Sequence, residues 1–91
     1  MNEKDIKLTV ARDIMTKAIE EAENAPYYVN KQTFSKDDAI VITHTIRTQL
    51  KDLLYTSILQ TVELPNKDVE KFNKRINKLE YDMLQGIHEN W

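Results

Sequence analysis

Chain-breaking residues are almost absent from this sequence: proline occurs only at Pro26 and Pro65, and glycine only at Gly86. Turns rely on these residues because glycine reaches positive φ freely and proline pre-sets a turn-like φ. A 91-residue chain this poor in both must place most of its length in a few long regular elements. The two prolines divide it into three segments. Within each, apolar residues recur at intervals of three and four, which is helical spacing. The fold class read from the sequence is all-α, a single helical domain over residues 1–91.

Helix one is expected over residues 3–23. Asn2 is a suitable N-cap, and acidic Asp5 follows at the positive helix end. Leu8, Val10, Ala11, Ile14, Met15, Ala18, Ile19 and Ala22 fall on one half of its surface, opposite Asp13, Thr16, Glu20 and Glu23. Asn24, just before Ala25-Pro26, reads as a left-handed stop. The connection 25–34 holds Tyr27, Tyr28, Val29 and Phe34, which predicts an ordered aromatic loop lying over the bundle.

Helix two is expected over 36–62, opened by Ser35 in the capping pattern Ser-Lys-Asp-Asp. Unbroken, it would run about 40 Å at 1.5 Å per residue. Ala39, Ile42, Ile46, Leu50, Leu53, Leu54 and Ser57 form its core stripe, widened by Ile40, Tyr55, Ile58 and Val62. Thr45, Gln49, Asp52 and Thr56 form a narrow polar strip. Helix three is expected over 67–88, capped by Asn66 and ended or weakened at Gly86, with Ile87 and Trp91 as a packed tail. Val69, Phe72, Ile76, Leu79, Met83 and Gly86 follow the 3-4 spacing of a coiled-coil seam, too short to stand alone.

Two architectures fit this pattern. Short breaks favour a three-helix up-down-up bundle. The apolar excess of helix two also allows a long helical hairpin that completes its core as a dimer.

Composition narrows the function classes. The absence of cysteine excludes disulfide stapling and thiolate metal sites. No apolar run approaches a membrane span, and the charged start Met1-Asn2-Glu3-Lys4-Asp5 is unlike a signal peptide, so the expectation is a cytoplasmic protein without a membrane partner. A lysine, asparagine and isoleucine bias suggests an AT-rich bacterial or phage genome and a small accessory protein. A net charge of −2 supplies no overall attraction to nucleic acid.

Catalytic chemistry finds little purchase. His44 and His88 lie on different helices without metal-ligand spacing, so no metal or cofactor is expected. His44 sits at the edge of the apolar arc and reads as a partly buried, hydrogen-bonded histidine. Ser35 is accounted for as a cap and Ser57 as a small core residue, leaving no evident nucleophile. With a single glycine there is no phosphate-cradling loop. The expectation is a protein that is not an enzyme.

Charge placement is the remaining clue. Lys67, Lys71, Lys74, Arg75 and Lys78 share one sector of helix three. On helix one, Lys4, Lys7 and Arg12 come early and Glu20, Glu21 and Glu23 late, against the helix dipole. In an up-down-up fold, residues 1–12 and 50–78 would form a pole of net charge +3, and the rest a pole of net charge −5. The reading that follows is a small protein-binding regulator, inhibitor or assembly factor, acting as a homodimer in one version. Its candidate partner surface comprises Tyr27, Tyr28, Val41, Tyr55, Leu59, Leu84 and Trp91. The alternative is a nucleic-acid-associated regulator using the basic face of helix three; mostly lysine, without interleaved aromatics, that face lacks the usual stacking platform.

Overall fold

Helix α1, Glu3–Glu23, begins where Asn2 Oδ1 accepts the Asp5 amide at 2.9 Å, as its capping role requires. The computed structural model describes residues 2–24 and 33–91. The predicted aromatic loop falls largely at 25–32, so Tyr27 and Tyr28 lie outside the described residues. The described chain is all-helical, with three helices and no strand. Asn24 ends α1 without the expected left-handed turn: its φ is −94°, and its amide and side chain both reach back to the Glu20 carbonyl. Closing the last helical turn through its own side chain removes the need for positive φ.

Helix α2, Lys36–Asp52, opens with a reciprocal capping box. Ser35 Oγ accepts the Asp38 amide at 3.1 Å, and Asp38 Oδ2 accepts the Ser35 amide at 3.4 Å. The rod continues through a π-helical turn, Leu53–Ile58, and a last α turn, Leu59–Thr61. In the π turn the Leu59 amide reaches the Leu54 carbonyl, five residues back. Such a turn accommodates one extra residue and rotates everything after it. Strict α periodicity from Leu50 leads to Ser57, but the inserted residue makes Ile58 the buried one and turns Ser57 out to solvent. The core stripe of the rod is therefore Ala39, Thr43, Leu50, Leu54 and Ile58, with Ile42, Ile46 and Leu53 half-buried beside it. Thr43 is buried at no hydrogen-bonding cost because its hydroxyl donates to the Ala39 carbonyl at 2.9 Å.

Helix α3, Asn66–Asn90, differs from expectation at both ends. Pro65, not Asn66, occupies the cap position, and no side chain caps the helix; instead the Pro65 carbonyl accepts the Asp68 and Val69 amides. Gly86 does not end the helix. The helix passes through it with ordinary negative φ and buries Ile87 completely one residue later. Packing of Ile87 outweighs the roughly 1 kcal/mol that glycine costs a helix interior.

The core joins Ala11, Met15 and Ile19 of α1 to Leu50, Leu54 and Ile58 of the second rod. It continues into Phe72, Ile76, Leu79 and Met83 of α3, with Leu64 closing the second break. Polar contacts fix how the rods align. From α2 to α3, Lys51 Nζ donates to Asn73 Oδ1, Asn73 Nδ2 donates to the Tyr55 hydroxyl, and His44 and Arg47 both reach Glu80. Arg12 and Glu23 of α1 pair with Asp68 and Arg75 of α3, respectively. The molecule measures 50 × 19 × 17 Å, and its radius of gyration is 15.1 Å, against about 12 Å for a compact domain of this length. It is a thin rod, and few of its side chains lie far from a surface.

Candidate functional site

Apolar residues left at the surface are the main chemical feature of such a rod. On α1 the apolar arc splits into two rows. Ala11, Met15 and Ile19, spaced by four, are buried against the other helices. Ile6, Val10 and Ile14, also spaced by four, form a second row that stays 50 %, 50 % and 45 % exposed. The sequence reading placed Val10 and Ile14 on the core-facing half of α1 and did not single out Ile6. A helix packed against only two neighbours, one of them through a narrow seam, cannot bury a full half of its circumference. The surplus row borders an open groove whose far wall is Ile58, Thr61 and Val62 at the end of the second rod. Two ion pairs bracket the row along α1: Glu3 with Lys7 at 3.2 Å and Asp13 with Lys17 at 3.6 Å, both solvent-exposed.

The residues singled out from the sequence do not gather into one patch. Val41 is 62 % exposed, beside His44 and Thr45. Tyr55 lies about 21 Å further along the rod at 1.5 Å per residue, exposed but tied to Asn73. Leu59 is half-buried against the core, and Leu84 is half-buried on α3. Trp91, also half-buried, donates its indole N–H to the Phe34 carbonyl at 3.1 Å, pinning the end of the chain beside the start of α2. Tyr81 was passed over in the sequence, yet it is 64 % exposed on α3. A tyrosine flanked by Glu80 and Asp82 outside the seam positions was the available signal.

His44 is hydrogen-bonded, as expected, but exposed. Its Nδ1 lies 3.0 Å from Glu80 Oε2, and Glu80 also receives Arg47 at 3.3 Å. Among the described residues no group of histidine and acidic side chains could hold a metal ion. None of the described helices is long and apolar enough to cross a membrane.

Some of the charged candidates are engaged, and others enter no ion pair with the described residues. Arg12 Nη2 and Nε both donate to Asp68 Oδ2, at 2.7 and 3.2 Å, and Arg75 holds Glu23 at 3.1 Å. Two of the charges on α1 that oppose its dipole thus serve to attach it to α3. Lys78 donates to Asp82 at 2.8 Å. That hydrogen bond and the Asp82 charge raise the Lys78 pKa; desolvation opposes them, and the Glu23 charge adds the smallest contribution, upward. Lys67, Lys71 and Lys74 are exposed and enter no ion pair with the described residues. Glu20 and Glu21 are exposed near the end of α1, beside Lys17 and Asn24.

No family model matches the sequence, and comparison with curated proteins and with solved structures finds no match.

Proposed function

We propose that the chain is a non-enzymatic, cytoplasmic protein-binding module, a small regulator, inhibitor or assembly factor, and that it docks its partner along the groove between α1 and the end of the second rod. In this reading the three helices form an up-down-up bundle. The pairings support it: α2 numbers fall as α3 numbers rise (Lys51 with Asn73, His44 with Glu80), whereas α1 and α3 numbers rise together (Arg12 with Asp68, Glu23 with Arg75). The observation that carries the function is the row Ile6, Val10 and Ile14. Three large aliphatic side chains, each about half exposed, line one wall of a groove whose other wall is also apolar. Contiguous exposed apolar surface with a charged border is the usual mark of an interaction site.

Photo-crosslinking in the native cell tests this. A photoreactive residue at position 10 should yield protein adducts, whereas one at position 41, on a different part of the surface, should yield few. Equal, sparse labelling from both positions would sink the groove as a docking site.

A second reading has one observation in its favour. Lys67, Lys71 and Lys74 form an exposed row without ion-pair partners among the described residues, a surface that phosphates could neutralise. Binding to DNA or RNA should then weaken steeply with salt, with a slope set by the number of phosphates contacted. Absence of binding at low salt would remove this reading.

A further inference from the structure

The occupant of the groove can be argued from the charges that border it. Along α1 the exposed row and its flanks read Glu3, Ile6, Lys7, Val10, Asp13, Ile14 and Lys17. This order is self-complementary on reversal about Val10. If a second α1 runs antiparallel with Val10 opposite Val10, every residue comes level with the one whose number completes twenty, and those nearest the centre line face each other. Ile6 then meets Ile14 and Glu3 meets Lys17 across the centre of the seam, while Lys7 and Asp13 flank it on opposite edges. A parallel second copy would set Glu3 against Glu3 and Lys7 against Lys7, which is repulsive at every charged position.

We infer that the α1 face carrying Ile6, Val10 and Ile14 docks a second copy of this chain, antiparallel about a two-fold axis at Val10. The inference rests on the groove being a protein-docking surface and names what fills it. Two-fold symmetry demands that one patch complement itself, and the charge order meets that demand. The ion pairs Glu3–Lys7 and Asp13–Lys17 become two four-charge clusters, one at each end of the apolar seam. Ile58 and Val62 of each copy extend the apolar contact beyond the helix pair. The seam from Glu3 to Lys17 rises only about 21 Å, less than a standard interface of roughly 800 Å² per partner would use. The dimer is therefore expected to form in the micromolar range.

Three measurements on the full chain test the geometry. Sedimentation equilibrium should show the mass rising from 10.7 kDa toward twice that value over micromolar concentrations. Val10→Asp should hold it at the monomer value with unchanged helical circular dichroism. The chain has no cysteine, so Val10→Cys places a single thiol on the proposed axis, within disulfide reach of its copy. It should oxidise to a disulfide dimer at least tenfold faster than Val41→Cys at equal concentration.

The charge order is tested by swaps that preserve both intrahelical pairs and the net charge. Glu3→Lys with Lys7→Glu should weaken dimerisation at least tenfold, and adding Asp13→Lys with Lys17→Asp should restore it. A monomer at every concentration, or a dimer indifferent to the first swap, overturns the antiparallel pairing. Such a result, together with adducts to a different protein at position 10, would leave the docking groove standing with another occupant. No adducts at position 10 at all would remove both.

Discussion

Helices α1 and α3 are both amphipathic and both pack on the second rod, yet they meet opposite fates. The seam of α3 is narrow, and Phe72, Ile76, Leu79, Met83 and Ile87 are all buried. The apolar arc of α1 is wide, and only its Ala11–Met15–Ile19 row is buried while the Ile6–Val10–Ile14 row faces solvent. A 3-4 seam suits two neighbouring helices, whereas a half-circumference arc requires more contact surface than two helices supply. Breadth of the apolar face, more than its hydrophobicity, decides which helix is satisfied within the monomer.

The largest predicted effect breaks this contrast directly. Ile76 has no exposed surface, so Ile76→Ala removes buried methylenes and leaves a cavity, costing about 2–5 kcal/mol. Val10→Ala removes a half-exposed side chain and adds helix propensity, so in the dilute monomer it should stay within about 0.5 kcal/mol. Urea denaturation of the two variants at low concentration measures the difference. Similar losses would mean that the buried seam of α3 and the exposed row of α1 are not energetically distinct.

Next in size is the attachment of α1 to α3. Asp68 is nearly enclosed and takes both Arg12 donors, while Arg12 keeps 42 % of its side-chain surface in solvent. Solvent screening limits such a pair, so Asp68→Asn is expected to cost about 1 kcal/mol, short of the upper range for charge-assisted bonds. The loss should be local. Amide exchange should quicken across Glu3–Glu23 more than across the seam of α3, and uniform quickening would count against this pair acting as a local attachment of α1.

The seam of α3 was legible because a regular 3-4 repeat survives any modest change in neighbours. The starts of α1 and α2 were legible for a related reason: side-chain caps act within a few residues, as Asn2 and Ser35 do here. What escaped depended on tertiary arrangement. Nothing local in Leu53–Ile58 announces a π turn, and that single extra residue exchanged Ser57 for Ile58 in the core. Gly86 looked like a helix end because propensity was visible and the burial of Ile87 was not. Among the site candidates, Val10 and Ile14 were recognised as apolar, but their exposure depends on how many helices reach α1. Arg12 and Glu23 looked misplaced only because Asp68 and Arg75 are 56 and 52 residues away.

Two smaller effects sharpen the comparison from the side of helix ends. The second rod begins with a reciprocal box, so Ser35→Ala should cost about 1 kcal/mol, read as a lower thermal midpoint. Helix α3 starts with no side-chain cap and depends on its packed seam, which makes interior propensity more visible there. Gly86 has ordinary helical φ and is half-buried, so Gly86→Ala should stabilise by about 0.5–1 kcal/mol. A loss in its place would show that a neighbouring side chain already fills the space of the missing methyl.

The smallest effect concerns Lys78, an exposed side chain held by Asp82 on the face of α3 near the end of α1. The Asp82 hydrogen bond and charge raise its pKa, and Glu23 of α1 adds to the shift. A raised folded pKa favours the ammonium, so its contribution is complete below the usual lysine range and is lost as pH climbs through the folded value. Asp82→Asn should return the Lys78 titration, followed by NMR of its side chain, toward that range. Glu23→Gln should move it in the same direction by less, because Glu23 acts only through space. Equal displacement by the two substitutions would place Glu23 in direct contact with Lys78, and no displacement by Glu23→Gln would show that the Arg75 partner screens its charge from Lys78. The titration of one surface lysine thus reports on the charge that the C-terminal end of α1 presents to α3.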